Sequence, residues 1–499
     1  MSEHFISRED ARGDLLSCAA YLAEEIGGSD DRAEAIAAVI PHYLAKGEVD
    51  LAAELSNSVD DPFVRDRLLI AVAAKCAELD DDEYALQLAE AIEEYGLQSQ
   101  AREAIALTKA EKGDLAGARA VADSVIHPDH ALGGIAVKQA ERGDEAAALE
   151  TISEIDYPGS AAIALLAITS MKVEKGENEK AVEYLETACS LALEIEHDEE
   201  KIRTLIDIGN LYFDAKRGDR AIETLDRARE FAEELDNVHR DNLLAAAAHG
   251  FIRAGSVELA DRTLDAVTDK TQIATALLGF AREYWRRDEH DDAFEALDEA
   301  YEVLRSQRET ETRDSKLRYG LFGSIAAQFA GFERGERGIE IAEGIEDADQ
   351  AKAALSQIAQ IMTSQGNGEL ARQALNSIED ETARTFALIG MSDAAAREGS
   401  KDESLSLLRE AVDGGDTVSQ SSSRAMAFSE IASRLIDLGE ADEARKLASA
   451  NLENIAEIKS ESAKVVALAS LSSVFASAGI AVSEEQNEIL RSILMKNIL

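Results

Sequence analysis

The sequence predicts an all-α fold without β-sheet, a stack of about twelve antiparallel helix hairpins with a thirteenth, degenerate unit. The first observation behind this prediction is a short turn that recurs along the chain, as in AKGEVDLA, EKGDLAGA, ERGDEAAA and SQGNGELA. Glycine is favoured in such turns because the residue that follows a helix is often left-handed. Each turn separates two helical segments, and the turn position falls at residues 47, 80, 113, 143, 176, 216, 255, 288, 333, 366, 399, 439 and 479.

The second observation is a pair of positions in each unit that holds small side chains. These are the positions at which paired helices should touch, because a side chain of methyl size or less lets two helix backbones approach closely. In the first helices they are Ile40, Ala73, Ala106, Ala136, Thr169, Gly209, Ala248, Ala281, Ala326, Ala359, Ser392, Ala432 and Ser472. In the second helices they are Ala52, Ala85, Ala118, Ala148, Ala181, Ala221, Ala260, Ala293, Gly338, Ala371, Ser404 and Ala444. Only Ile40 is large, and such recurrence is typical of a repeat.

The third observation is that successive turn positions are mostly 33 or 40 residues apart. Two turns of α-helix take about 7.2 residues, so seven extra residues lengthen a hairpin while keeping its apolar faces in phase. We therefore expect the long units to be taller hairpins. The longest step contains the stretch from Ser306 to Gly320, which we expect to extend two helices.

The two ends of the chain are predicted to cap the stack. Residues 1–29 should form an N-terminal cap, with a helix at 9–26 that covers the first hairpin, because a terminal repeat would otherwise expose apolar surface. Repeats then cover residues 30–411 and 427–482, and residues 412–426 are a candidate flexible joint, with an ordinary inter-repeat loop as the alternative. Residues 483–499 should form a closing helix with apolar residues Ile489, Leu490, Ile493, Leu494, Ile498 and Leu499.

Charge is the most extreme property of the composition. The chain of 499 residues has 99 acidic and 51 basic side chains, which gives a net charge of -48. The acidic residues are dispersed, which resembles the acidic surfaces of halophilic proteins. In molar salt the Debye length is about 3 Å, so the self-repulsion of such a surface is screened. The same charge argues against nucleic acid as a partner, because a phosphate backbone requires a basic surface.

Compartment and thiol chemistry follow from what the sequence contains. The N-terminal residues have no uninterrupted apolar run, so a secretory signal is not expected. No stretch reaches the roughly 20 apolar residues of a membrane helix, and we therefore expect a cytoplasmic protein that does not bind membranes. Cys18, Cys76 and Cys189 are far apart and odd in number, which favours small buried thiols over a disulfide framework or a metal site.

No sequence motif for catalysis or cofactor binding is present, so we predict neither an enzyme, nor a cofactor, nor a catalytic residue. The tightest histidine pair is His127 and His130, with Asp129 between them in HPDH. Two imidazoles and a carboxylate could bind a metal, but without a third strong ligand we expect a capped turn and no metal site.

One unit carries a family resemblance. In LIDIGNLYFDAKRGDRAIETLDRA, seven residues fall at the spacings of a known repeat pattern: Leu205, Ile208, Gly209, Tyr212, Ala221, Leu225 and Ala228. This unit resembles a tetratricopeptide repeat, and the resemblance implies a right-handed α-solenoid whose first helices line a concave groove. The family's first-helix Trp is mostly replaced by Leu, Ile or Phe, and its terminal Pro is absent. A neighbouring class such as HEAT is the alternative.

The resemblance also places a candidate binding site in the three middle units. The positions that should face the groove there are Arg203, Asn210, Asn242, His249, Arg253, Arg282, Trp285 and Arg286. If equivalent positions of adjacent units lie side by side, Arg253 should neighbour Arg286, and His249 should neighbour Arg282, above a floor formed by Trp285. Exposed aromatic and arginine side chains are typical of binding hot spots. The alternative is that Trp285 packs between hairpins while the arginines pair with nearby acids.

The basic positions have a further parallel within the family. They resemble the carboxylate clamp of chaperone-binding tetratricopeptide domains, and Asn210 occupies the clamp's asparagine position. The clamp's basic position near the start of the first helix is filled by Ile206, Ala245 and Leu278, so only a generic basic pocket carries over.

These observations predict a non-enzymatic scaffold or adaptor that binds partner proteins or peptides on its concave surface, with an acidic segment or a terminal carboxylate as the recognised group. One alternative is an enzyme or ligand-binding subunit with an anionic-substrate pocket around Trp285. Another is a structural spacer that self-assembles through its C-terminal apolar helix. The sequence does not predict the oligomeric state or the identity of the partner.

Overall fold

The computed structural model describes residues 5–306 and 315–496, and within these ranges it contains only helices. Its 28 helices are α1 (Asp10–Gly13), α2 (Leu15–Glu25), α3 (Ser29–Lys46), α4 (Val49–Asn57), α5 (Pro62–Glu78), α6 (Asp82–Ala91), α7 (Tyr95–Lys112), α8 (Leu115–Ala122), α9 (Asp129–Glu141), α10 (Glu145–Ser153), α11 (Pro158–Glu174), α12 (Asn178–Glu194), α13 (Asp198–Asp214), α14 (Gly218–Glu234), α15 (Arg240–Arg253), α16 (Val257–Asp265), α17 (Lys270–Arg286), α18 (His290–Arg305), α19 (Ser315–Gly331), α20 (Gly335–Glu343), α21 (Ala348–Ser364), α22 (Gly368–Asn376), α23 (Glu381–Arg397), α24 (Lys401–Gly415), α25 (Ser421–Asp437), α26 (Ala441–Ala456), α27 (Glu461–Ser477) and α28 (Glu484–Lys496). The predicted all-α hairpin fold is confirmed.

Two compact units make up the chain. Unit 1 combines Met1–Thr108 with Leu355–Leu499, and unit 2 is Lys109–Ala354. Within each unit, successive helices pair as antiparallel hairpins, and first helices pack on the first helix of the next hairpin, as α11 does on α13 and α23 on α25. No helix of the described residues is long and apolar enough to cross a membrane.

Backbone geometry at the turns reproduces the predicted register. Positive φ angles occur in the described chain at 13 residues, and these are the 13 predicted turn positions. Nine of them are glycine, which adopts this conformation without steric cost. The other four are Asp80, Lys216, Asp288 and Glu333, with φ between 62° and 66°. A left-handed residue with a Cβ costs roughly 1–2 kcal/mol, so packing on both sides must hold these four turns.

The predicted small positions are the places where hairpin helices cross. The residues at these positions are buried in every hairpin. At the α19–α20 crossing, a Cβ on Gly338 would lie 2.5 Å from the carbonyl oxygen of Ala326, so no methyl group fits. At the α23–α24 crossing, the hydroxyl oxygens of Ser392 and Ser404 are 2.8 Å apart and share a hydrogen bond. Close backbone approach therefore recurs where the sequence pattern predicts it.

The long units are taller hairpins, and the additional residues lie in the second helix. Short units have second helices of 8 to 10 residues. In the long units α12, α14, α18, α24 and α26 contain 15 to 17 residues. Of the stretch expected to extend two helices, Ser315 to Gly320 begins α19. Residues 307–314 lie outside the described residues.

In three repeats, an aspartate near the start of the first helix forms hydrogen bonds with the backbone that precedes the next repeat. The carboxylate of Asp66 accepts hydrogen bonds from the backbone N–H groups of residues 93 and 94. Asp129 accepts in the same way from residues 156 and 157, and Asp241 from residues 268 and 269. All three stand seven residues before the small first-helix position. Each one supplies an acceptor to N–H groups that precede the next first helix, where the helix itself offers none.

The chain ends meet inside unit 1. Within residues 9–26 the predicted helix is interrupted at Asp14, whose extended backbone separates α1 from α2 and whose side chain caps α2. Helix α2 packs on α3, as predicted for a cap, but also on α27. Helix α27 in turn packs on both α25 and α3, and the side chains of His42 and Ser473 share a hydrogen bond of 2.8 Å. In other repeats, a first helix packs against the second helix of its own hairpin. Helix α2 occupies that second-helix position against α27.

The predicted closing helix and candidate joint have their own structural context in unit 1. Helix α28 packs on α1, α2 and α26, and its Leu490, Ile493 and Leu494 are buried there. Residues 497–499, which include Ile498 and Leu499 of the predicted helix, lie outside the described residues. Of the candidate joint 412–426, only residues 416–420 lie between helices, where they connect α24 to α25. The contact of α1 and α2 with α27 and α28 is a different feature from this candidate flexible joint, and we call it the terminal joint.

Candidate functional site

The eight candidate residues lie on three consecutive first helices of unit 2. Arg203 and Asn210 belong to α13, Asn242, His249 and Arg253 to α15, and Arg282, Trp285 and Arg286 to α17. We call the solvent-accessible side of α11, α13, α15 and α17 the first-helix face. It is lined by the repeat positions that the sequence predicted to face a groove.

A row of alternating charges crosses this face near the helix ends. Arg253 donates a hydrogen bond of 2.8 Å to Asp214 of α13, and its Nε lies 3.7 Å from Glu283 of α17. Glu283 also accepts from Arg286, at 2.6 Å from Nη2. The guanidinium of Arg253 stands over the ring of Phe213, 5.7 Å from its centre. Arg253 and Arg286 are therefore joined by a shared carboxylate, and the predicted basic pocket is largely neutralised by acids.

His249 lies against α17, where Gly279 leaves room for its ring. A Cβ on Gly279 would come within 2.7 Å of the imidazole Cδ2. Burial lowers the pKa of His249, the Glu283 carboxylate acts in the opposite direction, and the charges of Arg253 and Arg282 lower it further. The net effect is a pKa below the ordinary value, so the ring is neutral at pH 7.

Trp285 takes a different position from the predicted floor of a pocket. Its indole stacks on the ring of Phe332, with centroids 4.4 Å apart, and on His290, with centroids 4.1 Å apart. The edge of Phe294 approaches it at 5.8 Å. Trp285 is half-buried. Both faces of the indole are thus occupied by rings of the same chain, because aromatic surfaces gain more from stacking than from exposure to water.

The remaining candidates differ in how far they are engaged. Arg203 is exposed and pairs at 2.9 Å with Glu199, one turn earlier on its own helix. Asn242 is half-buried. The Oδ1 atom of Asn210 is buried and has no hydrogen-bond partner among the described residues. Arg282 is exposed and makes no ion pair or hydrogen bond within those residues. Asn210 and Arg282 are therefore candidates with unused hydrogen-bonding capacity.

A cleft of about 740 Å³ opens on the first-helix face. Its walls come from α11, α13 and α17 and from the turn after α13. Apolar side chains and both signs of charge meet there: Val173, Leu211, Phe213, Glu174, Asp214, Lys216 and Arg286. Such a surface offers apolar contacts together with ionic partners of either sign, whereas the rest of the chain is dominated by acids.

Several residues of this site were not predicted from the sequence. Glu174 and Asp214 are two of them. Like the predicted Arg253 and Arg286, they stand five residues after the small first-helix position of their repeat, so the side chain at this position changes from acidic to basic along unit 2. Comparing this one position across units would have indicated the charge row. Glu283 does not stand at this position, and no local pattern marks it in a chain with 99 acidic residues.

The described residues hold no group of three or more side chains that could bind a metal ion. In the HPDH segment, the carboxylate of Asp129 is used in hydrogen bonds to the next unit. The three cysteines are free; Cys18 and Cys76 are buried and Cys189 is half-buried. Burial raises the pKa of the Cys76 thiol to about 11, which keeps it protonated and unreactive.

Comparisons with known proteins bear on the fold. No protein-family model matches the chain. No curated protein matches it either. Solved structures with similar helical arrangements include Ton1535 from Thermococcus onnurineus, at 17% identity over 70% of this chain and 97% of that one, with a TM-score of 0.24.

Two further structural neighbours have named functions. One is a signal transduction ATPase with a tetratricopeptide repeat sensor from Pyrococcus horikoshii, at 13% identity over 73% of this chain and 64% of that one, with a TM-score of 0.27. Another is the human IFIT1 dimer with PPP-AAAA, at 13% identity over 82% and 96% of the two chains, with a TM-score of 0.28. These are similarities of helical arrangement, and the all-α fold of this chain is established by its own helices.

Proposed function

We propose that this protein is a non-enzymatic scaffold that binds a partner protein or peptide on the first-helix face of unit 2. The observation that carries the proposal is the cleft on that face, where Phe213, Val173 and Leu211 lie beside four charged side chains. An extended partner segment could place apolar side chains in the cleft and match the charges at its rim. Such a surface suits recognition of a chain segment more than enclosure of a small molecule.

Recognition of an acidic group is assigned to Arg282 and Arg286. Arg282 is exposed and unpaired within the described residues, and Arg286 is held by a single exposed ion pair with Glu283. A carboxylate of the partner could bind Arg282 without first breaking an intramolecular contact.

The alternative functions have less structural support. A small-ligand pocket around Trp285 would need a free indole face, and both faces are stacked on His290 and Phe332. Self-assembly through the C-terminal helix would need a free apolar side on α28, whereas Leu490, Ile493 and Leu494 are buried within unit 1. These observations favour the scaffold over both alternatives.

The experiment is affinity capture from the source cells at native salt, with the wild-type chain and the Arg282→Glu variant side by side. We expect the wild type to retain a stoichiometric protein that the variant loses. Glu223→Leu, on an exposed site of α14, serves as a matched surface control that should retain it. Capture of the same protein by both variants would place the binding surface elsewhere.

A separate proposal concerns the acidic surface, which we attribute to a saline cytoplasm. Screening of self-repulsion should then raise the melting temperature as potassium chloride increases from tens of millimolar to molar. The measurement is a thermal unfolding series in potassium chloride. A melting temperature that stays constant over this range would rule out the salt adaptation.

A further inference from the structure

A second open surface lies in unit 1, between the long second helices α24 and α26. It is a groove of about 560 Å³ whose lining includes Phe428 and Leu435 of α25. Both of these side chains are buried, at 3% and 1% exposure, and they form its floor. Val412 and Leu447 on the two flanking helices are half-buried. The groove therefore exposes apolar surface only at its walls, as on Val412 and Leu447, above a buried apolar floor.

The corresponding positions of α12 and α14 in unit 2 carry different side chains, and one of them is much larger. Ala450 stands six residues after the small residue Ala444 of α26, and Arg227 stands six residues after Ala221 of α14. Ala450 is the smallest side chain in the lining of the unit 1 groove, at a position where unit 2 has an arginine.

The two ends of the open groove carry different charges. At one end Arg409 of α24 and Glu443 of α26 form a bidentate ion pair, with distances of 3.1 and 3.0 Å, and the exposed Lys446, three residues after Glu443, adds a positive charge to the lining. At the other end Asp413, Asp416 and Glu453 are exposed and make no ion pair with a described residue. The C-terminal end of α24 is at this end too, and its helix dipole adds partial negative charge.

We propose that this groove binds a helix of a partner protein, one that has aliphatic side chains along one face and lysine or arginine in its last turn. A third helix fits between two others by ridges-into-grooves packing, and its aliphatic residues would cover Phe428, Val412 and Leu447. Its basic residues would face Asp413, Asp416 and Glu453. Basic residues in a last turn also suit the partner helix's own dipole, so charge fixes the direction in which it binds. The scaffold then has two docking surfaces of different chemistry.

The test uses the full-length chain and a short synthetic helical peptide with leucines spaced by one turn and two lysines in its last turn. Binding is measured by fluorescence anisotropy. We expect saturable binding that Ala450→Arg abolishes, because a long guanidinium side chain in the lining would fill part of the groove. Asp413→Asn together with Glu453→Gln should weaken binding roughly three- to tenfold.

Two controls separate this groove from general attraction to an acidic protein. A scrambled peptide of the same composition keeps the charge but loses the apolar face, and it should not bind saturably. Asp402→Asn with Glu403→Gln removes the same charge from the opposite end of α24 and should leave the affinity unchanged. Equal affinity for the scrambled peptide, or unchanged affinity in Ala450→Arg, would overturn the proposal.

Discussion

The terminal joint of unit 1 and the first-helix face of unit 2 are built from different side chains. In the joint, α2 buries Leu16, Cys18 and Leu22 to 2% exposure or less against helices from the far end of the sequence. On the first-helix face, Arg253, Glu283 and Arg286 form ion pairs that solvent still reaches. The joint uses apolar burial, which stabilises strongly, and the face uses exposed charge, which stabilises weakly but selects partners. The difference separates the residues that hold the fold from those available for recognition.

The largest effect is expected in the terminal joint. Leu16→Ala removes a fully buried side chain from α2 and should lower the free energy of unfolding by about 2–5 kcal/mol. The measurement is a urea denaturation series, with Leu149→Ala as a control at a leucine that is 39% exposed. If both variants unfolded at the same urea concentration, the joint would not contribute to stability.

Helix crossings should respond next, and equally in both units. Ala221→Leu in unit 2 and Ala371→Leu in unit 1 should each cost about 1–3 kcal/mol, because the crossing has no room for the added atoms. Glu223→Leu, whose native side chain is 62% exposed, is the control and should be nearly neutral. Denaturant midpoints of the three variants test the register directly. A harmless Ala221→Leu would mean that the helix faces are assigned incorrectly.

A smaller effect is expected on the first-helix face. Arg253→Met leaves Asp214 and Glu283 without their shared cation and should cost about 1 kcal/mol, since the pairs are partly exposed. Arg282→Met breaks no ion pair within the described residues and should leave stability unchanged. The comparison of their denaturant midpoints distinguishes an arginine whose ion pairs stabilise the fold from an arginine that is available to bind a partner. Equal losses in the two variants would remove that distinction.

The smallest effect concerns pH and involves one histidine on the first-helix face and one beside the terminal joint. Burial lowers the pKa of His249 on the face and of His42 on α3, which contacts α27, and the nearby Lys46 lowers the pKa of His42 further. Below the ordinary pKa near 6.5, the unfolded chain takes up protons that the folded chain does not, so stability falls as the pH decreases from 7 towards 5.

His249→Gln and His42→Gln should each reduce the loss of stability between pH 7 and pH 5. Above pH 7.5 the imidazoles of the wild type are neutral, so there the variants should depend on pH as the wild type does. The check is a set of denaturation curves between pH 5 and pH 8 for the wild type and both variants. A slope that persists undiminished in the double variant would show that other groups cause it.

Much of the fold could be predicted because its determinants are local. A left-handed turn requires glycine or a strained residue, and a close crossing requires a small one, so the 13 turns and their crossings are marked in the sequence itself. No local sequence pattern indicates the terminal joint. The apolar residues of α2 would look the same whether they covered the first hairpin or α27, and the contact joins segments more than 400 residues apart.

The candidate site was predictable in position but not in pairing. The repeat register predicts that Arg253, Arg282 and Arg286 share one face, and the structure joins Arg253 and Arg286 through the carboxylate of Glu283. Which acid neutralises which arginine depends on side-chain geometry between helices, and acidic residues are too frequent for their spacing to indicate it. Trp285 became a candidate because it is the only tryptophan in the sequence. Its stacking depends on Phe332, which follows the next first helix.

The most direct test of the central claim is the affinity of the captured partner for three forms of the chain, measured by isothermal titration calorimetry with stability recorded in parallel. We expect Arg282→Glu with Arg286→Glu to abolish binding while the chain stays folded, with only the small loss of stability that the partly exposed Arg286–Glu283 pair accounts for. Arg253→Met should lower the midpoint and retain at least part of the affinity. Undiminished binding by the double reversal would contradict the assignment of the first-helix face as the docking surface.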